Sequence, residues 1–204
     1  MQYTKKEYNS LGFEILYKTE NELIESKGNF SYELEYASDE LRNNRDRVYK
    51  LCLKNKNSYN LKYVNDKLKG HKEFVKRLLN LDGSCCKYIS ETLKSDEEIM
   101  LLSISKEVHN IQYISNSLLN NETFLNKVIV VNKEAVEFIN VLKNSSNRTN
   151  KDIGKNLEKV IEKPLFTPEE EKEFLIDFNK KDLENDYKPT KSFNNQYESS
   201  SPSL

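Results

Sequence analysis

Tryptophan is absent from this 204-residue chain, and glycine (five), proline (four), cysteine (three), methionine (two) and histidine (two) are scarce. The few glycines are scattered, so no phosphate-cradling loop and no nucleophile elbow is present, and no His-Glu-x-x-His helix occurs. His71 and His109 stand 38 residues apart at different positions of the local pattern described below, without the Cys or carboxylate spacing of a zinc site. Cys52, Cys85 and Cys86 are an odd set with no metal-like spacing. Adjacent cysteines close only a strained ring, so these thiols read as small buried hydrophobes in a reducing compartment. The longest strongly apolar run is Val128-Ile-Val-Val131, far short of a membrane span, and Met1 to Tyr8 lacks an apolar signal core. A net charge of -1 gives no global pull toward nucleic acid or membrane. These absences set the expectations: no catalytic, cofactor or metal residue, no membrane partner, and a cytoplasmic location.

What the chain has is a period. Aromatic residues recur in one local setting at Tyr36, Tyr63, Tyr88, Tyr113 and Phe138. The flanks match at Leu34-Glu-Tyr-Ala-Ser-Asp-Glu-Leu41, Leu61-Lys-Tyr-Val-Asn-Asp-Lys-Leu68, Cys86-Lys-Tyr-Ile-Ser-Glu-Thr-Leu93 and Ile111-Gln-Tyr-Ile-Ser-Asn-Ser-Leu118. Val136 to Leu142 is a fainter fifth copy. A fixed period of this length is the signature of a tandem array.

Within each unit the first apolar set falls at i, i+3 and i+7, for example Leu61, Val64 and Leu68, which one helical face accommodates and a strand does not. A polar break follows, and Ser95-Asp-Glu-Glu98 reads as a capping box. A second helix then carries Val48, Leu51 and Cys52; Val75, Leu78 and Leu79; Met100, Ser103 and Ile104; or Leu125, Val128 and Ile129. Ser103 is the one polar lapse. Each unit therefore reads as a helical hairpin that buries its stripe only by stacking on its neighbours.

The expected fold is all-α: a right-handed, solenoid-like stack of short hairpins with a C-terminal helical extension. Residues 1–33 form an N-terminal cap or degenerate repeat, 34–142 the array and 143–150 a polar linker. Residues 151–181 form the C-terminal helices, and 182–204 a disordered tail. Thr167-Pro-Glu-Glu170 is a strong helix start, with a capping hydroxyl and proline at the first helical position.

The unit Leu-x-Tyr-Ala-Ser-x-x-Leu, followed by a polar break and an apolar helix, resembles the repeat family known as domain of unknown function 4116. Leu34 to Leu41 and Tyr88 to Asp96 carry the likeness most literally, across roughly residues 30 to 142. Asn65 in place of Ser and Cys86 in place of Leu depart from it. The resemblance implies tandem helical hairpins and a scaffold, and it implies no catalytic residue.

Two surfaces stand out as candidates. The aromatic ladder fills the groove between hairpins or, in the sharper reading, stacks bases or grips a peptide. Residues 34–85 carry twelve basic and seven acidic side chains. Arg42, Arg45, Arg47, Lys50, Lys69, Lys72, Lys76 and Arg77 form a candidate partner surface in this region, and its plainer reading is the solvated face of Lys-rich helices. The acidic runs Asp96 to Glu98 and Glu169 to Glu171 sit at helix starts, where carboxylates are favoured electrostatically. The leading functional expectation is a non-enzymatic protein-interaction scaffold, a small effector or an inhibitor. The alternative is single-stranded nucleic-acid binding through the basic strip, and an enzyme with a site assembled from loops ranks last.

Overall fold

The computed structural model describes residues 39–55 and 59–184, with Leu34, Ala37 and two short strands; for the strands, Lys54, Asn55 and residues 182–184 it describes the backbone alone. Tyr36, most of the expected cap over 1–33 and the tail beyond residue 184 lie outside the described residues. The strands β1 (Glu7–Tyr8) and β2 (Glu14–Ile15) pair antiparallel, with Glu7 opposite Ile15. Apart from an isolated bridge at Ala37, the other regular structure among the described residues is helical, and the chain is all-α as its periodicity leads one to expect.

The helices are α1 (Asp39–Asn43), α2 (Arg45–Asn55), α3 (Asp66–Lys69), α4 (Lys72–Leu81), α5 (Glu91–Lys94) and α6 (Glu97–Lys106). They continue as α7 (Asn116–Leu119), α8 (Glu122–Val131), α9 (Glu134–Lys143), α10 (Arg148–Glu162) and α11 (Pro168–Glu184). Three 3-10 segments, Tyr59–Tyr63, Gly83–Tyr88 and Val108–Tyr113, precede α3, α5 and α7.

A repeat is therefore not two helices. The stripe Leu61, Val64, Leu68 is buried, as are Cys86, Ile89, Leu93 and Ile111, Ile114, Leu118. Each set is nevertheless spread over a 3-10 segment and a one-turn helix, and the expected continuous first helix is corrected. The cause is the polar residue at its centre. Asn65, Ser90 and Ser115 adopt extended backbone and cap the following turn, accepting from the amides of Leu68 (2.9 Å), Leu93 (3.3 Å) and Leu118 (3.5 Å). Short polar side chains compete for backbone donors in this way. The break also frees an amide to join repeats: Ser90 N donates to Lys69 O (3.1 Å) and Ser115 N to Lys94 O (3.4 Å).

Caps recur with the same period. His71 Nδ1, Asp96 and Asn121 accept from the amides of Phe74, Ile99 and Phe124, starting α4, α6 and α8. The cap of α6 is thus Asp96, and Ser95 closes α5 instead, which moves the expected box by one residue. Asp82, Glu107 and Asn132 end one long helix and cap the next segment, accepting from the amides of Ser84, His109 and Glu134. One side chain thus serves both sides of a tight corner.

The long helices pack in chain order, α4 against α6, α6 against α8 and α8 against α10. The 3-10 segments stack beside them in the same order and end on α9. Between the two columns lies one apolar cluster running from Leu34 to Val160. The column Phe74, Ile99, Phe124 is wholly buried or nearly so and supplies much of its bulk. Ser103 is less of a lapse than its polarity suggests. In the third unit both facing positions change together, so that the Cys86 thiol lies 3.4 Å from the Ser103 hydroxyl, which donates to Met100 O. Burial pushes the Cys86 thiol up to about 11, and all three cysteines are buried thiols.

The period ends at α9, which is continuous where earlier units break. Asn156 of α10 donates its side-chain amide to Leu119 O (3.1 Å), the carbonyl that a next repeat's backbone would have taken. Ile153, Leu157 and Val160 are buried, so α10 closes the stack. The expected linker over 143–150 holds the end of α9, the cap Asn147 and the first residues of α10. Thr167 and Glu170 form the reciprocal cap of α11, with Thr167 N donating to Glu170 (2.8 Å) and Glu170 N to the hydroxyl (3.3 Å). Helix α11 rests lightly on α8 through half-buried Phe174 and Phe178.

Candidate interaction surface

The ladder rings follow from the repeat register. Tyr63, Tyr88 and Tyr113 each end a 3-10 segment, and Phe138 takes the corresponding place on α9. All four are half-buried and pack against the core, each leaving part of its ring at the surface. A second ring ties neighbouring units together. Tyr59 meets Tyr88 edge to face at 5.2 Å, and His109, in the equivalent position two repeats on, meets Phe138 at 4.8 Å. Tyr59 also contacts Tyr63 at 6.5 Å.

Two lysines lie over this cluster. Lys62 Nζ is 5.2 Å from the Tyr63 centroid and 5.8 Å from that of Tyr59. Lys87 Nζ is 4.7 Å from Tyr88 and 5.5 Å from the same Tyr59 ring. Ammonium groups are drawn to ring faces by the aromatic quadrupole. Lys94 over Tyr113 and Lys127 over Phe174 share the arrangement, but each also pairs with a carboxylate, Glu91 and Glu97 respectively. Among the described residues, Lys62 and Lys87 meet none.

The eight basic residues expected to form a strip are divided among different tasks. Lys72 binds Asp96 and Glu98, both at 2.7 Å, and Lys76 binds Glu98 at 2.6 Å, which ties α4 to the first turn of α6. Lys76 is only 7% exposed. Lys69 pairs with Asp66 (3.2 Å) and Arg45 with Asp46 (3.4 Å). Lys50 is exposed, and Arg42, Arg47 and Arg77 are half-buried. The acidic run at 96–98 is accordingly a junction between repeats as well as a helix start.

The junction has a pH signature. Hydrogen bonds from Lys72 first, and then from Lys76, hold the Glu98 carboxyl below its usual range despite partial burial. A depressed carboxyl contributes stability above the ordinary pKa, about 4.3, and loses it as pH falls through the folded value. For Lys72, burial favours the neutral amine, yet the bonds to Asp96 and Glu98 outweigh it and raise the pKa. That contribution persists until pH rises past about 10.4. Glu98→Gln is therefore expected to cost at most about 1 kcal/mol at neutral pH, since Glu98 is half exposed. Urea melts should show the gap to the parent chain closing below about pH 4. A gap unchanged down to strongly acidic pH would refute the assignment.

A cleft of about 370 Å³ opens where α10 leaves the array, lined among others by Asn120, Glu122, Asn126, Asn156, Lys159 and Lys163. Asn126 is committed there, accepting from Leu165 N (3.0 Å) and donating to Glu122 O (2.9 Å). His71 is the cap of α4, and His109 pairs with Glu107 at 2.6 Å on the ladder face. Among the described residues no group of three or more His, Cys, Asp or Glu is placed to hold a metal ion, and no helix is long and apolar enough to cross a membrane.

Reading by residue class passes over the most concentrated feature. Tyr59 is not a ladder position, and Lys62 and Lys87 stand outside the eight-residue strip. Their signal is the doublet Lys-Tyr at 62–63 and 87–88, repeated in register.

Comparison with known families agrees with the repeat. Residues 47–94 and again residues 71–119 match the family described as Domain of unknown function (DUF4116). The second match begins one repeat after the first, so each spans about two of the units described above. No curated protein and no solved structure matches the chain.

Proposed function

We propose that this helical module is a non-enzymatic protein-interaction element, acting in the cytoplasm as a scaffold, small effector or inhibitor. The observation that carries the reading is the face built by the stacked 3-10 segments, where rings and flanking polar side chains recur in register across successive repeats. Stacked repeats present extended surfaces of this kind to partner chains. Exposed Val136 and Val141 on α9 add apolar area at the far end. Three buried thiols fit the reducing setting.

Nucleic-acid binding through the eight-residue strip is less well supported, because Lys72 and Lys76 are held in ion pairs. The test is site-specific photocrosslinking of the full chain in cell extract, with the reactive group at exposed Gln112 on the ladder face or at exposed Lys181 on α11. A discrete protein adduct from position 112 that is missing from position 181 is expected. Equal background from both, or crosslinks to nucleic acid alone, would refute the proposal.

A further inference from the structure

The ladder face changes sign along its length. The residue preceding each ring is Lys62, Lys87, Gln112 and Glu137, and all four are exposed. Three residues before each of these stand Tyr59, Ser84, His109 and Glu134, which end acidic as well. The register is real at both ends, because His109 meets Phe138 edge to face just as Tyr59 meets Tyr88. One end of the face therefore presents two ammonium groups, and the other two carboxylates.

The basic end is organised in advance. Lys62 and Lys87 come from consecutive repeats yet lie over one shared ring, that of Tyr59, and each also covers the ladder ring beside it. No carboxylate among the described residues neutralises either. Elsewhere the same lysine-over-ring contact is accompanied by an acid, Glu91 for Lys94 and Glu97 for Lys127. Two cations held in place by their own rings lose little side-chain freedom when an anion arrives. The same contact decides the kind of anion. The faces a base would stack on already carry ammonium groups, so the surface offers charge rather than a stacking platform.

We infer that Lys62 and Lys87, fixed over Tyr59, Tyr63 and Tyr88, form a docking site for an acidic, extended segment of a partner protein. The segment's acidic stretch lies over the second and third units, and Glu134 and Glu137 repel it from the far end, which gives the bound segment one position on the array. This rests on the reading as a protein-interaction module and names the chemistry of the partner.

The experiment is fluorescence anisotropy with a labelled dodecapeptide of alternating glutamate and serine, its glutamine counterpart, and a dodecathymidylate. The full chain is expected to bind the acidic peptide over the glutamine peptide and over the oligonucleotide. Lys62→Glu with Lys87→Glu should weaken binding by about tenfold or more. Lys159→Glu with Lys163→Glu, at exposed lysines near and just past the end of α10, should leave it unchanged. Tyr59→Leu keeps both charges and removes their shared ring, so a weakening of several-fold is expected while the circular dichroism stays that of the parent.

Several results would each overturn the site: no binding by the parent chain, equal loss in both charge-reversal pairs, no effect of the Lys62 and Lys87 pair, or tighter binding of the oligonucleotide. Failure of the broader reading looks different. A protein adduct formed equally by the parent and by the Lys62 and Lys87 variant leaves an interaction module standing and removes this surface. Absence of any protein adduct removes the module itself.

Discussion

Replacing Phe124 by alanine is expected to remove about 3–5 kcal/mol of stability, the range for deleting a fully buried aromatic ring. Phe124 is 0% exposed and sits in the first turn of α8, the helix packed between α6 and α10. The site cannot collapse easily, because the Phe124 amide is fixed by the Asn121 cap and Asn126 is tied to Glu122 and Leu165. A loss of this size is a large share of the 5–15 kcal/mol that a domain usually has. Ile176→Ala is the control, since that side chain is 62% exposed and its removal should stay within about 0.5 kcal/mol.

Hydrogen exchange adds a spatial test to the urea melt. In a linear stack each unit is stabilised by its neighbours, so protection should fall most in α6, α8 and α10 and least in α2. A loss below about 1 kcal/mol, or a uniform fall in protection, would contradict the stacked arrangement.

The same column shows what the sequence disclosed and what it concealed. The stripe residues Leu61, Val64 and Leu68 and their counterparts are buried, because burial follows the period whatever the backbone does between positions. Phe74, Ile99 and Phe124 lie one residue before the second stripe as its spacing places it, from Val75, Met100 and Leu125, and only the packing shows that they belong to the core. The break at Asn65, Ser90 and Ser115 was not legible, since spacing of i, i+3 and i+7 suits a continuous helix as well as a 3-10 segment followed by one turn. What decides it is a hydrogen bond from the freed amide to the preceding repeat, a contact 21 residues away in sequence.

Ser95 and Asp96 are both good caps, and only the backbone shows which starts α6. The pairing of the basic residues is set by contacts between repeats, which residue counts along the chain do not contain. Lys76 and Glu98 are 22 residues apart, and counting charge by segment assigns them to different surfaces although they form one ion pair. Counting by register brings Lys62 and Lys87 together instead.

Gly154→Ala gives the second large effect, with a sign that general helix propensity gets wrong. In the middle of a helix, alanine is ordinarily better than glycine by about 0.5–1 kcal/mol. At residue 154 the opposite is expected. An added Cβ would lie 2.9 Å from the backbone nitrogen of Lys143 and 3.1 Å from Leu142 Cβ, distances that demand a shift of the α9 backbone. Among the described elements helices α9 and α10 make the most extensive contact, and buried Leu142, Ile153 and Leu157 lie at or beside it. Overpacking such a contact costs about 1–3 kcal/mol, which outweighs the propensity gain.

The damage should concentrate at the end of the array. Separating α10 from α9 also moves Asn156 from the Leu119 carbonyl, so the last repeat loses the bond that stands in for a following unit. Exchange protection of α7 to α9 should therefore fall together with that of α10, while α4 keeps its own. An alanine variant more stable than the parent, or one whose loss spared Leu118 to Val131, would show that α10 is an appendage and not the cap on which the stack ends.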